Sequence, residues 1–354
     1  MAAIHQASRL KTEIQRIVKR RVNALNYFSS PAPAVGITPK TLLHQRGTLS
    51  LYHYHSVAEE IYRVPLLLVM ATTNRAYIFD LAKGQSLIEF LLQRGYDVYV
   101  MDWNPPTREE RHLKIENYVL DFIPDCIRRV QENAGVEQVS LIGYCMAGVL
   151  SSIYAALHPD GPLKNLVCLT TPVDWRQVPW QSTLANRRYL DVDSLVERLG
   201  IIPSRMIQNA FDLLRPASRL AGQLRLWDNF WDEQYVAGYR MMTGWGRETL
   251  PLAGDYYRQI LKELVWNNGL YNGQLHIGGR AVDLRHITIP LLHIVAEHDT
   301  LVPPACARPL LEGVSSTDKQ ELVLPGGHVS LVAGPAAVKR MWPALDQWLG
   351  QRSV

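Results

Sequence analysis

The residues with the plainest chemical meaning lie in Val139-Ser-Leu-Ile-Gly-Tyr-Cys-Met-Ala-Gly148. A strand-like apolar run enters Gly143-x-Cys145-x-Ala147-Gly148, and a helix-like run follows. A nucleophile on so sharp a strand-to-helix turn projects above its sheet. Gly143 and Ala147 must be small because the two backbones approach closely there. Cys145 then lies at a helix N-terminus, which favours thiolate over thiol, and the Met146 N–H can face a developing oxyanion. Two further residues follow later strand-like runs: Asp299, in Ala296-Glu-His-Asp-Thr-Leu-Val-Pro-Pro304, and His328, in Leu324-Pro-Gly-Gly-His-Val-Ser330. A histidine can take the cysteine proton, and a carboxylate can set the imidazole tautomer or act on substrate. Taken singly, these are a core cysteine, a turn aspartate and a surface histidine. The elbow and the order nucleophile, acid, histidine together favour catalysis.

A second oxyanion donor belongs in the loop Ala71-Thr-Thr-Asn-Arg-Ala76, after the apolar run Pro65 to Met70. A backbone N–H among Thr72, Thr73 and Asn74 is the candidate; Asn74 and Arg75 could equally brace the loop. His53-x-His55 lies on one strand face but lacks a third metal ligand nearby, and Asp102 reads as a loop brace. No glycine-rich phosphate loop occurs, so a bound nucleotide cofactor is not expected.

The elements needed to hold this constellation are legible. Thr48 to Tyr54, Pro65 to Met70, Tyr96 to Met101, Val139 to Ile142, Asn165 to Thr170, Leu291 to Ala296 and Glu321 to Leu324 read as strands. Helical runs at Ser86 to Arg94, Ile115 to Glu132, Met146 to Leu157, Ala305 to Leu311 and Ala336 to Leu349 alternate with them. Such alternation predicts a mostly parallel sheet covered on both faces, with its site beyond the strands' C-terminal ends. From about Asp174 to Arg285 the alternation stops, and a helical segment holds six of the nine tryptophans. The expected organisation is an N-terminal basic helix and linker (1–40), a core begun at 41–174, a helical cap at 175–285 and a core completed at 286–354. The fold class is α/β, of the α/β-hydrolase type with a cap insertion. Most of the cap tryptophans are expected to form its own core.

Composition narrows the alternatives. The chain has 354 residues, 47% hydrophobic and 20% charged, with a net charge of +4. That is enough to bury a large core and too mild a charge to predict nucleic-acid binding. Four cysteines without CxxC or zinc spacing suggest a reducing compartment. The longest apolar runs are about seven residues against the roughly 20 of a membrane span. The first 24 residues lack the apolar core of a secretory signal. Residues 8–24 have helical spacing, with Leu10, Ile14, Ile17, Val18 and Val22 in one stripe among Lys and Arg. The stripe reads as a partner-binding surface or as a weakly packed N-terminal helix, and a linker follows at Ser29 to Pro39.

The chain resembles the catalytic subunit of polyhydroxyalkanoate synthases over about residues 34–350. The resemblance rests on Val35-Gly-Ile-Thr-Pro-Lys40, Asn74-Arg-Ala-Tyr-Ile-Phe-Asp80, Leu92-Gln-Arg-Gly-Tyr-Asp-Val-Tyr-Val-Met-Asp-Trp103 and the Cys145 box. That box is usually G-x-C-x-G-G in the family, and Ala147 here looks like the short, two-component synthases, especially the Bacillus-type ones. The resemblance implies attack of Cys145 on a 3-hydroxyacyl-CoA thioester, most simply 3-hydroxybutyryl-CoA, with CoA as substrate portion and no cofactor. His328 would activate Cys145, and Asp299 would activate the next hydroxyl, directly or through His328. It also implies a small accessory subunit, a homodimer or hetero-oligomer, and a cytoplasmic place at the surface of polyester granules. The rival readings are a cysteine thioesterase or esterase of the same fold and a catalytically silent granule scaffold.

Overall fold

The computed structural model describes residues 2–31, 33–182, 185–214 and 216–353. Its centre is an eight-stranded sheet: β1 (Lys40–Arg46), β2 (Leu49–Tyr54), β3 (Leu66–Val69), β4 (Val98–Trp103), β5 (Val139–Tyr144), β6 (Leu163–Leu169), β7 (Leu291–Ala296) and β8 (Lys319–Leu324). The strand order is β1-β2-β4-β3-β5-β6-β7-β8. β2 runs antiparallel to β1 and β4, and all other pairings are parallel. β3, β4, β5 and β7 are buried at every position, as strands with helices on both faces must be. β1 was not expected: its Lys-Thr-Leu-Leu-His-Gln-Arg sequence is mostly polar because it is an exposed edge strand.

α2 (Leu87–Gln93) is capped by Ser86, whose hydroxyl accepts from the Glu89 amide at 2.9 Å. The run expected as one helix from Ile115 to Glu132 is divided. A short helix, Ile115–Asn117, and a π-turn, Tyr118–Phe122, precede α3 (Ile123–Ala134). Pro124 lies in the first turn of α3, where its missing N–H costs least. α4 (Met146–Leu157) follows β5 directly and is buried along nearly its whole length. The run expected at Ala305 to Leu311 is two turns, Pro304–Ala307 and Pro309–Gly313, divided at Pro309.

Between β6 and β7 lie α5 (Val192–Leu199), α6 (Ser204–Leu214), α7 (Pro216–Asn229), α8 (Glu233–Arg247) and α9 (Gly254–Gln259). A two-residue ribbon, Ile201–Ile202 with Leu252–Ala253, ties the segment's two halves together. The segment sits over the C-terminal edge of the sheet and is pinned to the loop after β3. Trp245 Nε1 donates to the Arg75 carbonyl at 2.8 Å, and the Leu250 amide donates to the Thr73 carbonyl at 2.7 Å.

The N-terminal helix, α1 (Ala2–Ser29), packs on this segment. Its seated face is mixed: Ala24 and Tyr27 pack on the small apolar cluster of Leu226, Phe230 and Val236, and polar side chains flank them. Asn23 Nδ2 donates to the Phe230 carbonyl at 2.7 Å, and Arg20 donates to the Asp228 carbonyl at 3.3 Å. The Arg16 and Arg20 guanidiniums lie over Trp231 and Trp227 at 4.7 and 5.8 Å. These two tryptophans therefore hold α1 rather than a cap core, whereas Trp175 and Trp245 are buried as expected. Ile14, Ile17, Val18 and Val22 face outward, with Val18 56% exposed; the Leu10 side chain lies outside the described residues. Among the described residues, no helix is long and apolar enough to cross a membrane.

Candidate active site

The elbow forms at Cys145, which has φ 57° and ψ −120°. A non-glycine residue in this region is strained and persists only where its surroundings impose it. Here the Cys145 amide donates to the Leu169 carbonyl at 2.8 Å, and its carbonyl accepts from the Gly148 amide at 2.9 Å. A Cβ on Gly143 would meet the Ala147 carbonyl oxygen at 2.6 Å and the Gly148 Cα at 2.7 Å. Both are backbone atoms that cannot rotate away. We expect Gly143→Ala to cost on the order of 2 kcal/mol or more, read as a lowered thermal midpoint. Gly246→Ala, in α8 with open space around it, should be neutral or slightly stabilising. Equal effects of the two changes would show that the elbow is not sterically closed.

The turn leaves Cys145 half-buried, whereas Cys126, Cys168 and Cys306 are buried and none is in a disulfide. Burial pushes the Cys168 thiol up to about 11 and that of Cys306 up to about 12.

The loops after β7 and β8 bring Asp299 and His328 to this position. Asp299 Oδ2 lies 2.6 Å from His328 Nδ1. Asp299 Oδ1 accepts from the Leu301 and Val302 amides at 2.8 and 2.9 Å. Both carboxylate oxygens are thus committed, and the side chain is wholly buried. His328 is also buried, its carbonyl accepting from the Tyr144 hydroxyl at 3.2 Å. Burial alone would lower its pKa. The Cys145 and Asp299 charges, with side-chain hydrogen bonds to both, outweigh that and hold it up at about 10. With Nδ1 on Asp299, Nε2 is left for Cys145.

Met146 is the first residue of α4, so its N–H has no acceptor within the helix. In the facing loop, the Asn74 amide donates to the Ala71 carbonyl at 3.3 Å and closes the turn. It is therefore not the second donor expected from the sequence. Thr73 gives its carbonyl to the Leu250 amide, and its N–H stays a candidate donor. Arg75 and Asp102 brace this loop: Arg75 Nη2 lies 3.0 Å from Asp102 Oδ2, and the Ala76 amide donates to Asp102 Oδ1 at 2.8 Å. His53 and His55 are engaged separately, with Asp97 at 2.7 Å and Thr41 at 2.8 Å.

Sequence reasoning missed Tyr256, at the start of α9. It is buried, and its hydroxyl lies 3.2 Å from Thr72 Oγ1. Burial raises its pKa, the Thr72 hydrogen bond opposes the rise, and the Cys145 charge adds to it. Its hydroxyl thus joins α9 to the loop after β3. A tyrosine in a cap helix has no local signature, because only the docking of that helix places it here.

Comparison with known proteins agrees with this fold. Residues 79–335 match the alpha/beta hydrolase fold family, and residues 26–91 match the poly-beta-hydroxybutyrate polymerase (PhaC) N-terminus. The chain is 37% identical to the poly(3-hydroxyalkanoate) polymerase subunit PhaC of Allochromatium vinosum, covering 92% of each. It is 34% identical to that of a Synechocystis species, covering 90% of this chain and 86% of the other. Among solved structures, a soluble variant of the Saccharomyces cerevisiae monoglyceride lipase superposes with a TM-score of 0.59 at 15% identity, over 92% of this chain and 100% of the lipase. The Paleococcus ferrophilus monoacylglycerol lipase gives 0.55 at 18% identity, over 86% and 99%. At such identities the lipases establish the shared fold alone.

Proposed function

The chain belongs to the poly(3-hydroxyalkanoate) polymerase (PhaC) family and is an acyltransferase of polyhydroxyalkanoate synthesis, and from that premise we propose how its residues carry the reaction. Cys145, its proton held by His328, attacks the thioester carbonyl of a 3-hydroxyacyl-CoA. The Met146 and Thr73 N–H groups stabilise the tetrahedral oxyanion. Collapse breaks the carbon–sulfur bond to CoA, whose thiolate leaves with the His328 proton. The acyl group remains on Cys145. The hydroxyl of a second 3-hydroxyacyl unit or chain end then gives its proton to His328 and attacks that acyl group, which forms the ester and returns the Cys145 thiolate. Asp299 acts through His328, since one of its oxygens is held by two amides and the other by the imidazole. The observation that carries this reading is the strained Cys145 elbow facing the buried His328–Asp299 pair. No cofactor enters the scheme. The cap excludes water, which competes with the hydroxyl nucleophile.

We further propose 3-hydroxybutyryl-CoA as substrate, a small accessory subunit as partner, and the granule surface in the cytoplasm as site of action. The outward stripe of α1 supports a docking face for that subunit, since an amphipathic helix with an uncovered apolar stripe suits helix-against-helix recognition. The assay supplies purified protein with 3-hydroxybutyryl-CoA and scores free thiol and insoluble polymer together, with and without a cognate small subunit. Thiol and polymer should rise together, and the subunit should raise both by about tenfold or more. Thiol without polymer would identify a thioesterase. Full activity of the isolated chain would remove the subunit from the scheme. Unchanged subunit binding after deletion of residues 1–28 would remove only the α1 docking face.

A further inference from the structure

The loop after β3 is held from two sides, and one of them is the cap. Parallel pairing sets Val69 beside Gly143, so the chain that leaves β3 at Met70 runs beside the Cys145 elbow. On the core side, Trp103 Nε1 donates to the Met70 carbonyl at 2.6 Å, and Asp102 holds Arg75 and the Ala76 amide. On the cap side, one stretch from Trp245 to Tyr256 reaches the loop three times. The Tyr256 hydroxyl lies 3.2 Å from Thr72 Oγ1. The Leu250 amide donates to the Thr73 carbonyl at 2.7 Å, and Trp245 Nε1 donates to the Arg75 carbonyl at 2.8 Å.

These cap contacts fall on the peptide units that flank the candidate oxyanion donor. A peptide unit is planar, so a held carbonyl also fixes the N–H that shares its plane. The Ala71–Thr72 unit is fixed by the Asn74 amide on the Ala71 carbonyl, and the Thr73–Asn74 unit by that amide and by Leu250. The unit between them carries the Thr73 N–H. Its orientation follows from its two neighbours and from the Thr72 side chain, and the cap supplies the Leu250 and Tyr256 contacts among these constraints. Thr72 and Tyr256 are both buried, where a hydroxyl that loses its partner is costly. Tyr256 is itself fixed. Its ring centroid lies 4.3 Å from that of Tyr118, which lies 5.2 Å from that of Trp103. Trp103 is the residue that holds the Met70 carbonyl, so one run of packed rings supports the loop from both sides.

We propose that Tyr256 is a positioning residue for acylation. Through Thr72 it aims the Thr73 N–H at the developing oxyanion, and the cap thereby completes the oxyanion hole as well as covering it. A cap displaced from the loop would lose all three contacts together and leave Cys145 without its second donor. The proposal rests on the thioester chemistry proposed above, so its test includes an arm that needs no turnover.

Tyr256→Phe keeps the ring on Tyr118 and removes only the hydroxyl, and Thr72→Val removes the partner at nearly equal size. Deleting an oxyanion donor costs about 10^2- to 10^3-fold in rate, so loosening one should cost less. Each variant should lower single-turnover CoA release at saturating 3-hydroxybutyryl-CoA by about tenfold, with KM little changed. The double variant should also lose about tenfold rather than a hundredfold, because the two hydroxyls make one contact. Thr72→Ser, which keeps the hydroxyl, should stay near the wild-type rate. Alkylation of Cys145 by iodoacetamide forms a carbon–sulfur bond, expels iodide and develops no oxyanion, so its rate should be the same in every variant. Alkylation that falls in step with CoA release would show that the pair supports the whole elbow. Additive losses in the double variant would show that Tyr256 does not act through Thr72. Either result overturns the proposal, as does wild-type CoA release by Tyr256→Phe. The arm without substrate is amide hydrogen exchange. The peptide spanning Ala71 to Ala76 should exchange about threefold faster or more in Tyr256→Phe, the scale of one lost hydrogen bond, and unchanged exchange would overturn the positioning role. Faster exchange in the variant, beside a wild type that releases no CoA, would uphold the support of the loop by the cap and overturn the reaction instead.

Discussion

Cys145→Ala is expected to abolish CoA release and polymer formation, by on the order of 10^4-fold or more, while the protein stays folded. The loss is large because no other group can accept the acyl chain. The fold survives because alanine removes only the sulfur and keeps the Cβ that the elbow already accommodates. The other cysteines should be replaceable by serine or alanine with limited loss. They are buried, and burial holds the Cys126, Cys168 and Cys306 thiols above the ordinary range, away from the thiolate form. Iodoacetamide labelling with peptide mapping should mark Cys145 in step with inactivation. Inactivation that tracks any of the other three would overturn the assignment. The variant also has a signature beyond activity. The Cys145 charge is the larger of the two that raise His328, so its removal should lower the imidazole titration from about 10, as followed by NMR. The sign carries over to stability. A histidine raised from 6.5 contributes stability that is full below that value and is lost as pH climbs through about 10. In the variant the loss should still begin near 6.5 but be smaller and complete at lower pH.

The second large effect separates His328 from Asp299. His328→Ala should lose acylation by more than about 10^3-fold, since the Cys145 proton has nowhere to go and the departing CoA has no donor. Asp299→Asn should lose less, about 10^2-fold at neutral pH. Oδ1 must remain an oxygen to accept from the Leu301 and Val302 amides. The asparagine NH2 is therefore forced toward His328 Nδ1, and the imidazole proton moves to Nε2, the wrong side for taking the cysteine proton. A cysteine tolerates this better than a serine because its thiolate forms in mildly alkaline solution without a base. Acylation by Asp299→Asn should accordingly recover as pH rises, whereas His328→Ala should still lack a donor for the leaving group. Single-turnover CoA release across pH, measured beside chain growth, distinguishes the two. Normal acylation with impaired elongation in Asp299→Asn would show instead that the carboxylate acts directly on the attacking hydroxyl.

The elements nearest the chemistry were the most legible. β3, β5 and β7 are continuous apolar runs because both their faces are covered, and the glycine–cysteine turn after β5 is dictated by local sterics at Gly143. β1 and the π-turn at Tyr118–Phe122 were not legible. An edge strand has no apolar alternation to display, and a π-turn adds a residue to a helix without changing its composition. The amphipathic stripe of α1 was legible, but its use was not. The periodicity left open whether the stripe packs on the chain or meets a partner; the stripe faces outward, and Arg20, Asn23, Ala24 and Tyr27 form the seated face instead.

The amino-acid sequence by itself determined the α/β-hydrolase sheet and the placing of Cys145, Asp299 and His328 after its strands, because each sits at a strand end whose position follows from local pattern. Tertiary structure decided what surrounds them. It committed both Asp299 oxygens, closed the turn after β3 with the Asn74 amide and set Tyr256 against Thr72. The Thr72–Tyr256 contact joins residues 184 apart in the chain, and a pairing between distant side chains leaves no trace in the periodicity of either segment.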